Sequence, residues 1–103
     1  MSYSVLRTDK AEEQIRDILF YIAEDSGSVE IALNYLDKLE KAVTNLALFP
    51  YTGVKPRYST LRKQGYLVLV VERHLIFYKV NDEEKTVTVY AVVDGRREYQ
   101  KLI

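Results

Sequence analysis

The sequence predicts a two-layer α+β domain in which an N-terminal strand and a helical hairpin pack on an antiparallel sheet, in the order β-α-α-β-β-β. Three observations lead there. Apolar residues recur at helical spacing through two successive segments of the first half. Three segments of the second half are rich in β-branched and aromatic residues and are separated by short polar breaks. The chain has 103 residues, 48% of them hydrophobic, which is the size and apolar content of one domain with a real core. Residues 1–103 are therefore read as that single domain.

Residues 3 to 7, Tyr-Ser-Val-Leu-Arg, alternate as a short strand does. Asp9 then starts a helix, with Glu12 three residues on at the spacing of a capping box. Ala11, Ile15, Ile18, Leu19 and Ile22 form its apolar stripe, while Glu12, Glu13, Arg16 and Asp17 fall away from it. The run Glu24-Asp25-Ser26-Gly27-Ser28 breaks this helix, and Ser28 is a good N-cap for a second one. Its apolar positions are Ala32, Tyr35, Leu36, Leu39, Val43 and Leu46, and Phe49-Pro50 closes it. So short a connection makes the two helices antiparallel neighbours. Residues 51 to 65 show no period and no acidic residue; with Lys55, Arg57, Arg62 and Lys63 they read as a basic loop, where contact with phosphate is expected. Strands follow at Tyr66 to Val71, His74 to Val80 and Thr86 to Val93, joined by Glu72-Arg73 and by Asn81 to Lys85.

Composition excludes several classes of function. There is no cysteine, so a disulfide framework and a thiolate metal site are both impossible, and a reducing, cytoplasmic setting is expected. His74 is the single histidine, which leaves no metal-binding set, and Ser59 and Thr60 lie in no nucleophile context. No metal and no cofactor are expected. No apolar run is long enough for a membrane span or a signal peptide. The net charge is zero but unevenly placed: residues 1 to 50 hold five Lys/Arg against nine Asp/Glu, and residues 51 to 103 hold ten against six.

The basic second half contains a constellation that includes aromatic residues. It comprises Arg57, Tyr58, Arg62 and Lys63 in the loop, Arg73 and His74 at the first hairpin, and Arg96, Arg97 and Tyr99 after the last strand. Arginines neutralise phosphate, tyrosine stacks on a base and histidine shuttles a proton. With the sheet paired in sequence order, the end of the last strand is expected far from the Arg73 turn, and strand twist and the path of the tail would have to bring the clusters together. The structural alternative makes His74 a strand histidine beside a turn, the tyrosines core residues and Arg97 a structural arginine.

The pattern Ala11, Ile15, Ile18, Tyr21-Ile22, then Ala32, Leu36, Leu39, Leu46, Phe49-Pro50 and Gly53, resembles the RelE/ParE toxins of bacterial type II toxin-antitoxin modules. Leu61-Arg62, Gly65-Tyr66, Leu75-Ile76-Phe77-Tyr78 and Gly95-Arg96-Arg97-Glu98-Tyr99 extend the resemblance over nearly the whole chain, the last being similar to a Gly-Arg-Arg-Asp-Tyr ending common in that family. The resemblance implies a toxin silenced by a cognate antitoxin, touching operator DNA only through that partner. Its target would be DNA gyrase, as for ParE-like members, or mRNA in the ribosome, as for RelE-like members. Arg97 matches the family's arginine after the last strand, and Arg73 the one before the central tyrosine-containing strand. Leu67, Val68 and Leu69 stand where RelE enzymes place strand lysines, and the neutral charge departs from ribosome-directed members. The gyrase reading is therefore preferred, with Arg57, Arg62, Lys63, Arg96 and Arg97 binding the target. The alternative is an mRNA endonuclease using Arg73, His74, Arg97 and Tyr99; a third reading is an inactive member that only binds antitoxin. The antitoxin is expected on the helical hairpin and the sheet edge.

Overall fold

A computed structural model describes residues 2–97 and 99–103; Met1, and Glu98 of the tail motif, lie outside the described residues. The elements are β1 (Ser4–Arg7), α1 (Asp9–Ser26), α2 (Val29–Asn45), α3 (Ser59–Lys63), β2 (Leu67–Val71), β3 (His74–Asn81), β4 (Thr86–Asp94) and a 3₁₀ turn at Gln100–Leu102. The fold is α+β, as expected. The strand order is β1-β4-β3-β2, with β2, β3 and β4 antiparallel and β1 parallel to β4, so the sheet is mixed. A hairpin link would have forced β1 to run antiparallel; two helices separate it from the other strands, and that length of chain permits either direction.

Thr8 caps α1 by accepting from the N–H of Ala11 at 3.1 Å. The third helical position is thus Ala11, and no capping box forms; Glu12 instead pairs with Arg7 at 2.7 Å. The helix runs through the predicted break to Ser26 and stops at Gly27, whose φ of 69° is the left-handed conformation that glycine adopts freely. Ser28 caps α2 through the N–H of Ile31. That helix ends at Asn45, short of Phe49-Pro50, and the chain leaves it through turns. The stretch read as a basic loop contains α3, and Val54 forms an antiparallel bridge with Val68 on the outer edge of β2.

The sheet is covered on both faces. Ile15, Tyr35, Leu39 and Val43 of the hairpin close over Ile76, Tyr78, Val87, Val89 and Val92. On the other face Leu61 of α3 and Tyr99 of the tail pack with Val68, Phe77, Ala91 and Val93. One residue sets this division. The β3–β4 register shifts so that Phe77 faces Ala91 and Tyr78 faces Val89, leaving Tyr90 as a bulge. Past the bulge the side-chain phase of β4 reverses, which puts Val92 on the helical face and Ala91 and Val93 on the other.

Candidate functional site

The turn between β2 and β3 is two residues long, and Glu72 takes φ 53° there without being a glycine. His74, the first residue of β3, lies opposite Asp94, the last of β4, and Gly95 N–H donates to Arg73 O at 2.8 Å. The Arg73 turn and the end of the last strand are therefore neighbours, contrary to the separation expected from sequence. In an antiparallel run of three strands, the third ends beside the turn that joins the first two. Space at Gly95 is tight: a Cβ there would meet Leu75 Cγ at 3.1 Å and Arg73 O at 3.3 Å.

Arg73, Arg96 and Arg97 are all exposed at this end and line a cleft of about 470 Å³ whose other wall is α1. Asp94 supports the group by accepting from Arg96 N–H at 2.9 Å, and that bond holds its carboxyl below the usual carboxylate range. The Arg96 guanidinium reaches the same carboxylate only at 3.5 Å. Among the described residues Arg73 and Arg97 form no ion pair.

His74 is 6% exposed. The Tyr35 hydroxyl lies 2.6 Å from its Nδ1 and 3.0 Å from Val71 O. The phenol oxygen thus sits between a ring nitrogen of His74 and a backbone carbonyl of β2, holding the imidazole in place. Burial pushes the imidazole below the ordinary histidine value; the field of Asp94 opposes this and that of Arg73 adds to it. Burial likewise pushes the Tyr35 phenol up to about 12. His74 is thus a neutral side chain that ties α2 to the start of β3.

The remaining sequence-predicted residues lie elsewhere. Tyr99 is 4% exposed, its ring 5.4 Å from both Tyr58 and Phe77, so it sits in the second core. Arg62 donates to Pro56 O at 2.8 Å and Arg57 O at 2.7 Å, bracing the turn before α3. Arg57 lies 5.3 Å from the Tyr58 ring centroid, and Lys63 is exposed at the end of α3. Sequence reasoning missed Gln14. It accepts from Val92 N–H at 2.8 Å and donates to Leu102 O at 2.9 Å, tying the tail to the part of β4 that extends beyond β1. Its only signal was a polar residue beside the apolar stripe. Among the described residues no group of three or more potential ligands could hold a metal ion, and no helix is long and apolar enough to cross a membrane.

At the opposite end of the sheet, the hydroxyls of Tyr3 (2.7 Å) and Tyr51 (2.5 Å) both donate to Asp82. The two phenols hold its carboxyl below the usual range. Gly53, near Tyr51, donates its N–H to the Tyr78 hydroxyl at 2.9 Å.

Residues 5–99 match the family described as the ParE toxin of the type II toxin-antitoxin system parDE. Among solved structures, a chain of the chromosomal ParDE system of P. aeruginosa is 18% identical with a TM-score of 0.74, the alignment covering 90% of this chain and 96% of that one. A chain of the Mycobacterium tuberculosis RelBE2 toxin-antitoxin complex is 17% identical with a TM-score of 0.64, over 91% of this chain and 99% of that one. A substituted E. coli toxin RelE in the free state is 16% identical with a TM-score of 0.63, over 99% of this chain and 90% of that one. No curated protein matches the chain.

Proposed function

The chain belongs to the ParE toxin family within the RelE/ParE superfamily, so it is the toxin of a type II toxin-antitoxin system, and from that premise we propose that it acts on DNA gyrase through the arginine end of the sheet. One arrangement supports this over RNA cleavage. Cleavage by 2′-hydroxyl attack needs a base, an acid for the leaving oxygen and cationic stabilisation of the phosphorane. Tyr99 is buried on the far side of the sheet, and His74 is buried, with its Nδ1 bonded to Tyr35. What this end presents outward is arginine, which binds and neutralises but does not exchange protons at neutral pH. Arg96 and Arg97 are the principal contacts in this reading, with Arg57 and Lys63 as outlying ones; Arg62 is committed to its loop.

The test is gyrase supercoiling with purified toxin, run beside primer extension on ribosome-bound message. The expected result is loss of supercoiling, or accumulation of cleaved DNA, that disappears in Arg97→Ala. A second reading has its own support, because Arg73 and His74 do converge with Arg96 and Arg97. Codon-phased mRNA cuts that vanish in His74→Ala would replace the gyrase assignment with it.

The antitoxin is proposed to cover the tip of the helical hairpin, where Phe20, Tyr21, Val29, Ile31 and Leu33 are each more than half exposed. Its second contact is the outer edge of β2 beyond Val54, where the Val70 side chain is 63% exposed. Operator DNA is reached through that partner, in the cytoplasm, without membrane involvement. Expressed alone, the chain is expected to arrest growth or to be poorly soluble. Equal yield and harmless growth without the neighbouring gene would contradict this.

A further inference from the structure

The turns on either side of β3 are held in different ways. In the one that follows β3, Asn81 Oδ1 accepts from Glu84 N–H at 3.0 Å, so the turn is braced by its own residues. The turn that precedes β3 has no such internal side-chain bond among the described residues. Its side-chain partners come from α2. The Tyr35 hydroxyl lies 3.0 Å from Val71 O and 2.6 Å from His74 Nδ1, and Val71 and His74 are the pair that closes this turn. Three residues further along the same helix face, Lys38 donates to Glu72 Oε2 at 2.7 Å. Val71, Glu72 and His74 are thus each fastened to one helix, while Arg73 O accepts from Gly95 N–H at 2.8 Å.

The hydroxyl of Tyr35 has no other use in the structure. The residue is 8% exposed, and its ring belongs to the core under the helical hairpin with Leu39 and Ile76. A phenylalanine ring would fill that place as well. The two bonds of the hydroxyl both go to the turn. Burial pushes the phenol up to about 12, so it keeps its hydrogen throughout the neutral range. The turn needs such support, because Glu72 takes a left-handed φ of 53°, which a residue other than glycine keeps only where its surroundings impose it.

An arginine displayed from a fixed backbone gives up less freedom on binding than one carried on a mobile turn. We propose that Tyr35 is a positioning residue for the toxin: its hydroxyl fixes the β2–β3 turn on α2 and so sets how Arg73 meets the target. This rests on the reading that the arginine end is the acting surface, and it holds for gyrase and ribosome alike.

The test compares Tyr35→Phe, Arg73→Ala and the double variant. Toxicity is read as the amount of soluble toxin that halves growth. Tyr35→Phe is expected to require about tenfold more toxin, the effect of losing one buried hydrogen bond. Arg73→Ala should require at least as much, and the double variant no more than Arg73→Ala alone, because residues that act through one contact are not additive. A merely structural loss would multiply with it. On the purified chain, the Gly95 amide should exchange about tenfold faster in Tyr35→Phe, while the Leu39 and Ile76 amides keep their rates. Lys38 is exposed, so Lys38→Gln loosens the same turn without touching the core, and it should show the same non-additivity with Arg73→Ala. Full toxicity of Arg73→Ala would strike the reading of the arginine end and the proposal with it. Full toxicity of Tyr35→Phe beside a weakened Arg73→Ala, losses that multiply, or an unchanged Gly95 rate would each overturn the positioning role alone.

Discussion

At the β3–β4 turn, Asp82 accepts from Tyr3 and Tyr51 together, which fastens the N-terminal strand and the segment after α2 to the sheet. At the other end, Asp94 accepts a backbone N–H, while Arg73, Arg96 and Arg97 extend into solvent around a cleft. Both ends carry exposed charge and both lie beside a turn. They differ in how that charge is used: at the acidic end it closes the structure, and at the basic end the structure holds charge ready for something else. Counting charges along the sequence finds both clusters and cannot tell these uses apart. The partner atoms do.

The largest expected effect tests the basic end as a recognition surface. Arg97→Ala should weaken target binding by about 2 kcal/mol or more, roughly thirtyfold, as removal of a charged group from a paired interface does. The same variant should shift stability by no more than about 0.5 kcal/mol, because exposed side chains outside packed features rarely matter. Toxicity and a denaturant melt on one sample read both quantities; a large loss of stability would make Arg97 structural and remove the contrast between the ends.

Next comes the acidic end as an anchor. A Cβ on Gly53 would lie 2.6 Å from the Tyr78 hydroxyl and 2.7 Å from Val68 O. Gly53→Ala should destabilise the fold by about 1–3 kcal/mol, the usual cost of overpacking. Target binding per folded molecule should not change. A melt that does not move would show that this segment yields, and that Tyr51 and Asp82 hold nothing rigid.

A smaller effect concerns pH. Burial lowers the folded-state pKa of His74, so the unfolded chain binds its proton more readily. The stabilising contribution is then complete above the unfolded value near 6.5 and declines as pH falls from there toward the folded value. Asp94 and Asp82 are shifted down from 3.8 and lose their contributions only in a more acidic window. Melts from pH 7.5 to 5.5 should show a loss that His74→Gln abolishes; identical slopes in both proteins would refute a buried neutral histidine. Smallest of all is Asp82→Asn. Amide exchange should quicken along β1 and around Tyr51 while the global melting temperature stays in place. Unchanged exchange would demote the double phenol contact to decoration.

Much of the fold was legible because long elements carry period. The stripe Ala11, Ile15, Ile18 located α1, Ser28 located the start of α2, and the three later strands fall within one residue of their expected limits. Short elements were not legible. Five residues of α3 cover barely more than one helical turn, too few for a period to show, and neither the Tyr90 bulge nor the Gln14 tether has a sequence signature. The site was half legible. Residue types picked out Arg73, Arg96 and Arg97, whereas Tyr99 and Arg62 were grouped with them on chemistry that packing redirects. The α1 wall of the cleft was read only as part of an amphipathic helix, Ile18 and Ile22 in its apolar stripe and Asp17 outside it, because its place in the cleft arises from proximity to residues some eighty positions later, Gln14 to Val92 among them.

The parallel pairing of β1 with β4 sets a schedule. Val5 lies beside Val87, so the first strand to leave the ribosome waits for the last, and at about 5–20 residues per second that interval is several seconds. The helical hairpin can form early, but the sheet face it covers does not exist until β4 is complete. Arg96 and Arg97 follow β4 directly. During each round of synthesis the nascent chain therefore offers its apolar helices well before it offers its charged end. An antitoxin that captures those helices co-translationally would reach the toxin before it is able to act.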